Sequence, residues 1–464
     1  MLLRLRRRRG SVNQAWKALT VPDRADGHEN AQMLTPILLS GGGRTGSTQL
    51  MALLGSDTRV AFDRTFPYES RYLTYFAKFA SLLQRPDLFQ FLSPQQLFNP
   101  NYINFGGPPP GCQYVPPFPP DLYLGRGDFG SWLRELWRKF SGDIRQCSFQ
   151  STFYAEKAPD WLGPLVRLCM DCFTIYNIRD PRDIFISSNA FMKKINMVGF
   201  ARSAGDTDRD HARRLGLAFL QTVENYLADR HRPDTLLVRY EDYALDQEKV
   251  INRISSMSGL QLKKNTDKSH FAHHATAKDI KSSINRWTRE PIPQEVVSYL
   301  EGMLRDAMPA VGYELSQPQA DSPARRISFA EGCTDCRRLD HSPDGVLEQG
   351  TDCAVARVKG PDFYVNLQVE PFPATAIKEL WICVRGEIGN VMSLYWRGRH
   401  TQFSENSAIH VPYRPAPHWS VLVFPAATHP EWKGEITELR LDLFNSVSKP
   451  HSGTGYIRWV QLVG

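Results

Sequence analysis

The chain has 464 residues, of which 42% are hydrophobic and 23% charged, and its formal net charge is +7 at pH 7. This length exceeds what one ordinary core accommodates, so we expect two domains, and the composition is that of a globular protein rather than a fibrous or disordered one. The mild basic excess suits anionic ligands or simply solubility, and we expect no nucleic-acid partner.

The first ten residues, MLLRLRRRRG, form the start of a basic arm that we assign to residues 1–33. A secretory signal has about 7–15 apolar residues after its charges, and none follow here. No stretch approaches the ~20 apolar residues of a membrane span. We therefore expect a cytoplasmic protein whose arm is a solvated tail or touches anionic lipid weakly.

The cysteines are scattered along the chain and do not suggest a disulfide framework. The pairs Cys169–Cys172 and Cys333–Cys336 have the internal spacing of zinc ligands. The first pair lies in an apolar segment, however, and the two pairs are far apart. Reduced thiols are the preferred interpretation, so we expect no metal.

Between residues 34 and 315, short apolar runs alternate with helix-like segments. TPILLSGG, CFTIYNIRD and DTLLVRYED are typical of buried strands, and STQLMALLGS, DIFISSNAFMKK and DQEKVINRISSMSG are typical of the helices that follow them. This alternation predicts a P-loop-like parallel sheet flanked by helices. The proline-rich stretch at residues 105–125 is predicted to be an inserted loop.

A linker is predicted at residues 316–326, and the pattern changes after it. Residues 327–464 contain six short alternating segments separated by turn residues, which indicates an all-β, jelly-roll-like sandwich. Its tryptophans Trp396, Trp419 and Trp432 have two interpretations: exposed rings that stack on sugars, or core residues of a packing or oligomerisation module.

The glycine-rich turn after the first strand has the spacing of a nucleoside-triphosphate loop, Gly41-x-x-x-x-Gly46 followed by Ser47. Such a loop places lysine directly after its last glycine, and here that position is serine. The cation is Arg44 instead, inside the turn. Backbone N–H groups at a helix start can still bind a phosphate, so the turn predicts a phosphate site, with an ordinary strand–helix turn as the alternative.

Two later segments carry further candidates for anion binding. Arg179 stands at a strand end with Ser187 two helical turns beyond it, an arrangement that can hold a second phosphate. Arg286 lies beside Trp287 in a polar loop. Each segment alone could be a solvated face or a structural ion pair.

In combination, these segments resemble the sulfotransferase family, whose donor is 3′-phosphoadenosine-5′-phosphosulfate (PAPS). GGRTGST is similar to the family's 5′-phosphosulfate loop in an arginine form, and RDPRDIFISS to its 3′-phosphate motif. LVRYEDYALDQEKVINRISSMSGL and HHATAKDIKSSINRW are similar to a later strand–helix segment and to the loop that closes over the cofactor, although position 285 is Asn where glycine is expected. The resemblance implies the sulfotransferase fold for residues 34–315 and PAPS-binding roles for Gly43, Arg44, Thr45, Gly46, Ser47, Thr48, Arg179, Ser187, Arg286 and Trp287.

The resemblance also implies catalytic roles. Carbohydrate sulfotransferases of this family carry a base glutamate about as far beyond the loop as Glu69, and FYAEKAPDW is similar to an element whose lysine, here Lys157, lies near the sulfuryl group. Arg44 joins these as a catalytic cation. The alternatives are ion pairs, Glu69 with Arg71 and Lys157 with Glu156 or Asp160.

The acceptor side is assigned to Arg71 and His274, and His273 or His274 is the alternative base. We expect a PAPS-dependent enzyme that sulfates a carbohydrate hydroxyl, with a glycan as its partner. A P-loop kinase or nucleotide hydrolase, and a non-catalytic glycan-binding protein with a degenerate domain, are the alternatives.

Overall fold

The structure is a computed structural model that describes residues 33–83, 129–264, 275–316, 326–329, 339–389, 391–413, 415–445 and 452–464. The basic arm up to residue 32, the proline-rich stretch, linker residues 317–325, the Cys333–Cys336 pair, His273 and His274 lie outside the described residues. Within the described ranges, no helix is both long enough and apolar enough to span a membrane.

The helices and strands are numbered here in chain order. The helices are α1 (Ser47–Leu54), α2 (Tyr72–Leu83), α3 (Phe129–Cys147), α4 (Leu162–Val166), α5 (Pro181–Ile195), α6 (Asp208–Asp229), α7 (Tyr240–Leu245), α8 (Gln247–Ser258), α9 (Gln294–Met303) and α10 (Ala307–Ala310). The strands before the expected linker are β1 (Thr35–Ser40), β2 (Val60–Ala61), β3 (Phe153–Ala158), β4 (Phe173–Ile178) and β5 (Thr235–Arg239). Those after it are β6 (Arg326–Ser328), β7 (Asp340–His341), β8 (Gly345–Gln349), β9 (Ala354–Val358), β10 (Tyr364–Pro373), β11 (Glu379–Gly386), β12 (Val391–Arg397), β13 (Ala408–Pro412), β14 (Ala416–Phe424), β15 (Glu435–Asn445) and β16 (Gly453–Val463).

The chain divides into two compact units. The first comprises Met1–Gly41, Thr45–Asn177 and Arg230–His273, and the second comprises Gly42–Arg44, Ile178–Asp229 and His274–Gly464. Because helices α5, α6 and α9 fall in the same unit as the β-sandwich, the units do not follow the predicted linker. The domain bounds 34–315 and 327–464 stay predictions.

The first unit is built on a five-stranded sheet in the order β2-β3-β1-β4-β5. Strand β1 pairs in parallel with β3 and with β4, and β2 pairs in parallel with β3. Ile37, Leu38 and Leu39 of β1 are at most 2% exposed, as expected for a central strand that is covered on both faces. The predicted parallel sheet with flanking helices is therefore confirmed.

The β-sandwich consists of two antiparallel sheets, β13-β12-β15-β10-β7 and β14-β11-β16-β9-β8, with β6 pairing to β16. Their inner faces share one hydrophobic core that includes Leu367, Leu394 and Ile382. The predicted all-β sandwich is confirmed. Its tryptophans are not exposed, because Trp396, Trp419 and Trp432 are 3%, 1% and 7% exposed. Stacking on sugars through exposed rings is therefore wrong for these three residues, and a role of the sandwich in packing or oligomerisation stays a prediction.

Helix α6 lies against the sandwich within the second unit. Glu224 of α6 accepts hydrogen bonds from Trp459 Nε1 at 2.8 Å and from the Arg458 guanidinium at 2.9 Å. Asn225 accepts a hydrogen bond from the backbone N–H of Trp419 at 3.2 Å. The outer face of the β14-β11-β16 sheet is thus covered by a helix that precedes the expected linker.

Candidate active site

The glycine-rich turn between β1 and α1 depends on two glycines. Gly46 has φ 84°, and a Cβ there would lie 2.5 Å from the ring of Tyr240. Gly41 has φ 154°, and a Cβ there would lie 2.1 Å from the carbonyl oxygen of Asn177. Only glycine fits both positions without strain.

The same turn leads directly into the start of α1. Gly46 is the N-cap residue, no side chain caps the helix, and its first turn has no acidic residue. Asn177 fixes the turn by donating to the backbone oxygen and to the hydroxyl of Thr45, both at 2.9 Å. A helix start with these properties is suited to an anion, because its first N–H groups have no intrahelical acceptor.

Lys157 connects this turn to the segment that carries Glu69. Its Nζ donates to Thr48 Oγ1 at 2.9 Å, to the backbone oxygen of Pro67 at 2.8 Å and to Glu69 Oε1 at 3.1 Å. The Lys157 side chain is 8% exposed, whereas that of Glu69 is 51% exposed. Burial lowers the pKa of Lys157, and the charge of Glu69 acts in the opposite direction. The structure therefore brings together three of the predicted residues, Thr48, Glu69 and Lys157.

A second group of predicted residues lies together in the second unit. Arg44 Nε donates to Ser187 Oγ at 3.1 Å, and its guanidinium lies 4.4 Å from the ring centre of Phe191. Arg179, which is 4% exposed, donates to the backbone oxygens of Arg44 at 3.1 Å and Ser283 at 2.5 Å. The predicted proximity of Arg179 and Ser187 is thus seen, with Arg44 between them.

Arg286 extends this group through a residue that the sequence did not single out. Thr276 Oγ1 accepts from Arg286 at 2.9 Å and lies 3.3 Å from Ser187 Oγ. Arg286 also forms a bidentate ion pair with Glu290, at 2.6 and 2.8 Å. Three guanidiniums, those of Arg44, Arg179 and Arg286, face two carboxylates here, because Asp183 lies 3.9 Å from Arg179. The local charge is positive.

The departure at position 285 has a physical explanation. Asn285 has φ 52°, in the left-handed region where glycine is the usual residue. Asparagine is among the few other residues that adopt this conformation readily. The turn expected from the family motif can therefore form with Asn285. Trp287, next to Arg286, stacks on a different cation, since the Arg182 guanidinium lies 3.8 Å from its ring centre.

Sequence reasoning missed Thr276, Asn177 and Glu156. Glu156 is fully buried beside Lys157 and accepts hydrogen bonds from the start of α2. The only signal was the charged pair inside FYAEKAP, which was not interpreted as part of a strand. Arg71 lies near this group, because its charge lowers the pKa values of both Glu156 and Lys157.

A parallel sheet whose first strand runs through a glycine-rich turn into the first helix defines the class of P-loop-like α/β proteins. Within that class, residues 159–294 match the family model described as the sulfotransferase domain. This match confirms the resemblance to the sulfotransferase family. It includes Arg179, Ser187 and Arg286 but neither the glycine-rich turn nor Lys157.

No curated protein matches this chain. Among solved structures, the sulfotransferase domain from the curacin biosynthetic pathway is 13% identical, with a TM-score of 0.37 over 61% of this chain and 99% of that chain. The sulfotransferase domain of the Synechococcus PCC 7002 olefin synthase is 14% identical, with a TM-score of 0.29 over 58% of this chain and 94% of that one. A xylan-binding module from Roseburia intestinalis is 10% identical, with a TM-score of 0.23 over 30% and 93%. Likenesses this distant carry no argument about activity.

Proposed function

We propose that this protein is a sulfotransferase that moves a sulfuryl group from PAPS to a hydroxyl group of a carbohydrate. The observation that carries the proposal is the position of Lys157. Its ammonium group contacts the hydroxyl of Thr48 on the phosphate-type turn and the carboxylate of Glu69 at the same time. A cation and a base are thereby held beside a predicted anion site.

The residues present fit PAPS, which supplies the sulfuryl group when it is bound. The uncapped start of α1, with Gly46, Ser47 and Thr48, would hold the 5′-phosphosulfate end. Serine after the last glycine removes the lysine that a triphosphate needs, which disfavours a kinase or nucleotide hydrolase. The positively charged group of Arg179, Ser187 and Arg286 would hold the 3′-phosphate.

The chain's own residues divide the chemistry between them. Glu69 Oε1, half exposed and next to Lys157, would accept the proton of the acceptor hydroxyl. Lys157 Nζ would place positive charge where negative charge develops, and its three hydrogen bonds hold it in one position. Arg44 would contribute a second cation from the turn.

The carbohydrate acceptor is the finer part of the proposal. Glu69 follows the glycine-rich loop at about the distance along the chain at which carbohydrate sulfotransferases of this family have their base glutamate. The three candidate tryptophans of the β-sandwich are buried and do not support a sugar site. The assignment to a carbohydrate therefore rests on the resemblance around Glu69.

The test is transfer of radiolabelled sulfate from PAPS to a panel of polysaccharides, oligosaccharides and lipids. We expect label in a carbohydrate fraction, and we expect Glu69→Gln to lower turnover by about 10²- to 10⁴-fold, the usual effect of losing a general base. Calorimetry should show adenosine 3′,5′-bisphosphate binding more tightly than ATP to both proteins. Equal or tighter binding of ATP would refute the donor assignment, and label in lipid alone would refute the acceptor class.

A further inference from the structure

The start of helix α2 is held by a carboxylate from another element. Glu156 Oε2 accepts from the backbone N–H of Leu73 at 2.9 Å. Its Oε1 accepts from the N–H of Thr74 at 3.0 Å and from the hydroxyl of Thr74 at 2.6 Å. Helix α2 has no acidic residue in its own first turn. Glu156 therefore does for α2 what an N-cap side chain and a first-turn acid usually do together.

The neighbouring residues of β3 hold the other part of the same segment. Side chains alternate along a strand, so Glu156 and Lys157 point to opposite faces of the sheet. Lys157 holds the backbone oxygen of Pro67 and the carboxylate of Glu69. The hydroxyl of Tyr154 donates to the backbone oxygen of Ser70 at 3.4 Å. One strand thus fastens residues 67–74, which include Glu69, from two sides.

Glu156 is an expensive residue to bury, which argues against a packing role alone. It is 0% exposed. Burial raises its pKa to about 7, although the hydrogen bonds from α2 and the charge of Arg71 act in the opposite direction. The nearby phenol of Tyr154 has its own pKa raised by burial and by the charge of Glu156. An apolar residue of similar volume would avoid the cost of this charge.

We propose that Glu156 is a positioning residue whose carboxylate fixes the start of α2 and thereby holds the Glu69 carboxylate at Lys157. The inference rests on the proposed function, because it gives Glu156 a part in the reaction through Glu69. Glu156 itself touches neither the donor nor the acceptor in this scheme.

The first test compares variants by turnover and by affinity. Glu156→Gln keeps the shape but replaces a carboxylate oxygen by an NH₂ group that faces donors. Misplacing a base by a fraction of its contact distance lowers turnover by about 10- to 100-fold, so we expect a loss of that size with the dissociation constant for adenosine 3′,5′-bisphosphate unchanged. Glu224→Gln, at a buried glutamate of the sandwich contact, is the matched control and should leave turnover unchanged.

A double-mutant cycle separates positioning from general stability. If Glu156 acts through Glu69, then adding Glu156→Gln to Glu69→Gln should cause almost no further loss of turnover. The same fold-loss in both backgrounds would overturn the proposal. Thr74→Val removes only the hydroxyl donor and should show the same pattern with a smaller loss, which keeps the test decisive if Glu156→Gln folds poorly.

Hydrogen exchange gives a readout that needs no donor or acceptor. The amides of residues 69–74 should exchange about tenfold faster in Glu156→Gln than in the parent chain, whereas those of α1 should not change. Unchanged exchange at residues 69–74 would refute the role of Glu156. Faster exchange in a protein whose parent chain transfers no sulfate would refute the proposed function instead.

Discussion

Replacing Arg458 by methionine tests the contact between α6 and the β-sandwich. The Arg458 guanidinium lies 2.9 Å from Glu224, and the two side chains are 12% and 4% exposed. Methionine keeps much of the length and apolar contact of arginine but removes the charge. Glu224 would keep its hydrogen bond from Trp459 and lose its ion pair with Arg458.

The expected effect follows from the burial of the pair. Removing one partner of a buried ion pair lowers the free energy of unfolding by about 3–5 kcal/mol, because the remaining charge stays desolvated. Trp459 keeps one hydrogen bond to that charge, so we expect the lower end, about 3 kcal/mol. For a unit of this size, each kcal/mol shifts Tm by about 2–4 °C. The variant should therefore melt roughly 6–12 °C below the parent chain.

The matched control is Arg357→Met, which breaks an ion pair between side chains that are 57% and 48% exposed. Exposed pairs contribute at most about 1 kcal/mol, so this variant should melt within about 2–4 °C of the parent. Calorimetric melts at matched pH and ionic strength compare the three proteins. Equal shifts for Arg458→Met and Arg357→Met would refute the reasoning from burial.

Three further predictions use the same kind of comparison. Arg179→Ala should weaken binding of adenosine 3′,5′-bisphosphate by roughly 10- to 100-fold, which is what the loss of a charge-assisted hydrogen bond costs. Binding of adenosine 5′-phosphosulfate, which has no 3′-phosphate, should hardly change. Calorimetry that finds equal losses of affinity for the two ligands would contradict a 3′-phosphate role. Burial holds the pKa of Glu156 at about 7 in the folded protein, against an ordinary 4.5, so the folded state binds the proton of Glu156 more tightly than the unfolded state does. The free energy of unfolding should therefore fall by at most about 3 kcal/mol as pH rises from about 4.5 to about 7. Melts of Glu156→Gln should lack this fall, and identical pH profiles for the two proteins would exclude a contribution from Glu156. Gly46→Ala should abolish bisphosphate binding because its Cβ would meet Tyr240 at 2.5 Å, whereas Gly42→Ala, with nothing within 4 Å, should retain it; loss of binding in both variants would show that the turn tolerates no side chain at all.

The first strand and its turn could be predicted because their signals are local. An apolar run ending in glycines fixes β1 and the start of α1. The eight-residue interval from Arg179 to Ser187 runs from the residue after β4 into the second turn of α5. Strand β3 could not be found in this way. Its sequence FYAEKA contains two adjacent charges, which periodicity assigns to the surface. They are buried because their partners come from distant parts of the chain. Glu156 accepts from Leu73 of α2, 83 residues away, and Lys157 donates to Thr48 of α1, 109 residues away.

The sandwich tryptophans illustrate a second limit of local patterns. Alternation places Trp396 on one face of β12 but does not say whether that face meets solvent or another sheet, and Trp432 lies before β15, outside any strand. The structure gives their indole N–H groups backbone acceptors, Glu431 for Trp396 and Ala374 for Trp432. Such pairing allows a large amphipathic ring to be fully buried.

The contact of α6 with the sandwich also limits how portable the sandwich is. Residues 327–464 read as a self-contained module along the chain, yet the backbone N–H of Trp419 donates to Asn225 and the indole N–H of Trp459 donates to Glu224, both on α6. A transplanted sandwich would carry with it an uncovered face of indoles and arginine, a surface prone to self-association. Recombination that moved this region to another catalytic domain would therefore have to bring α6 along or redesign that face.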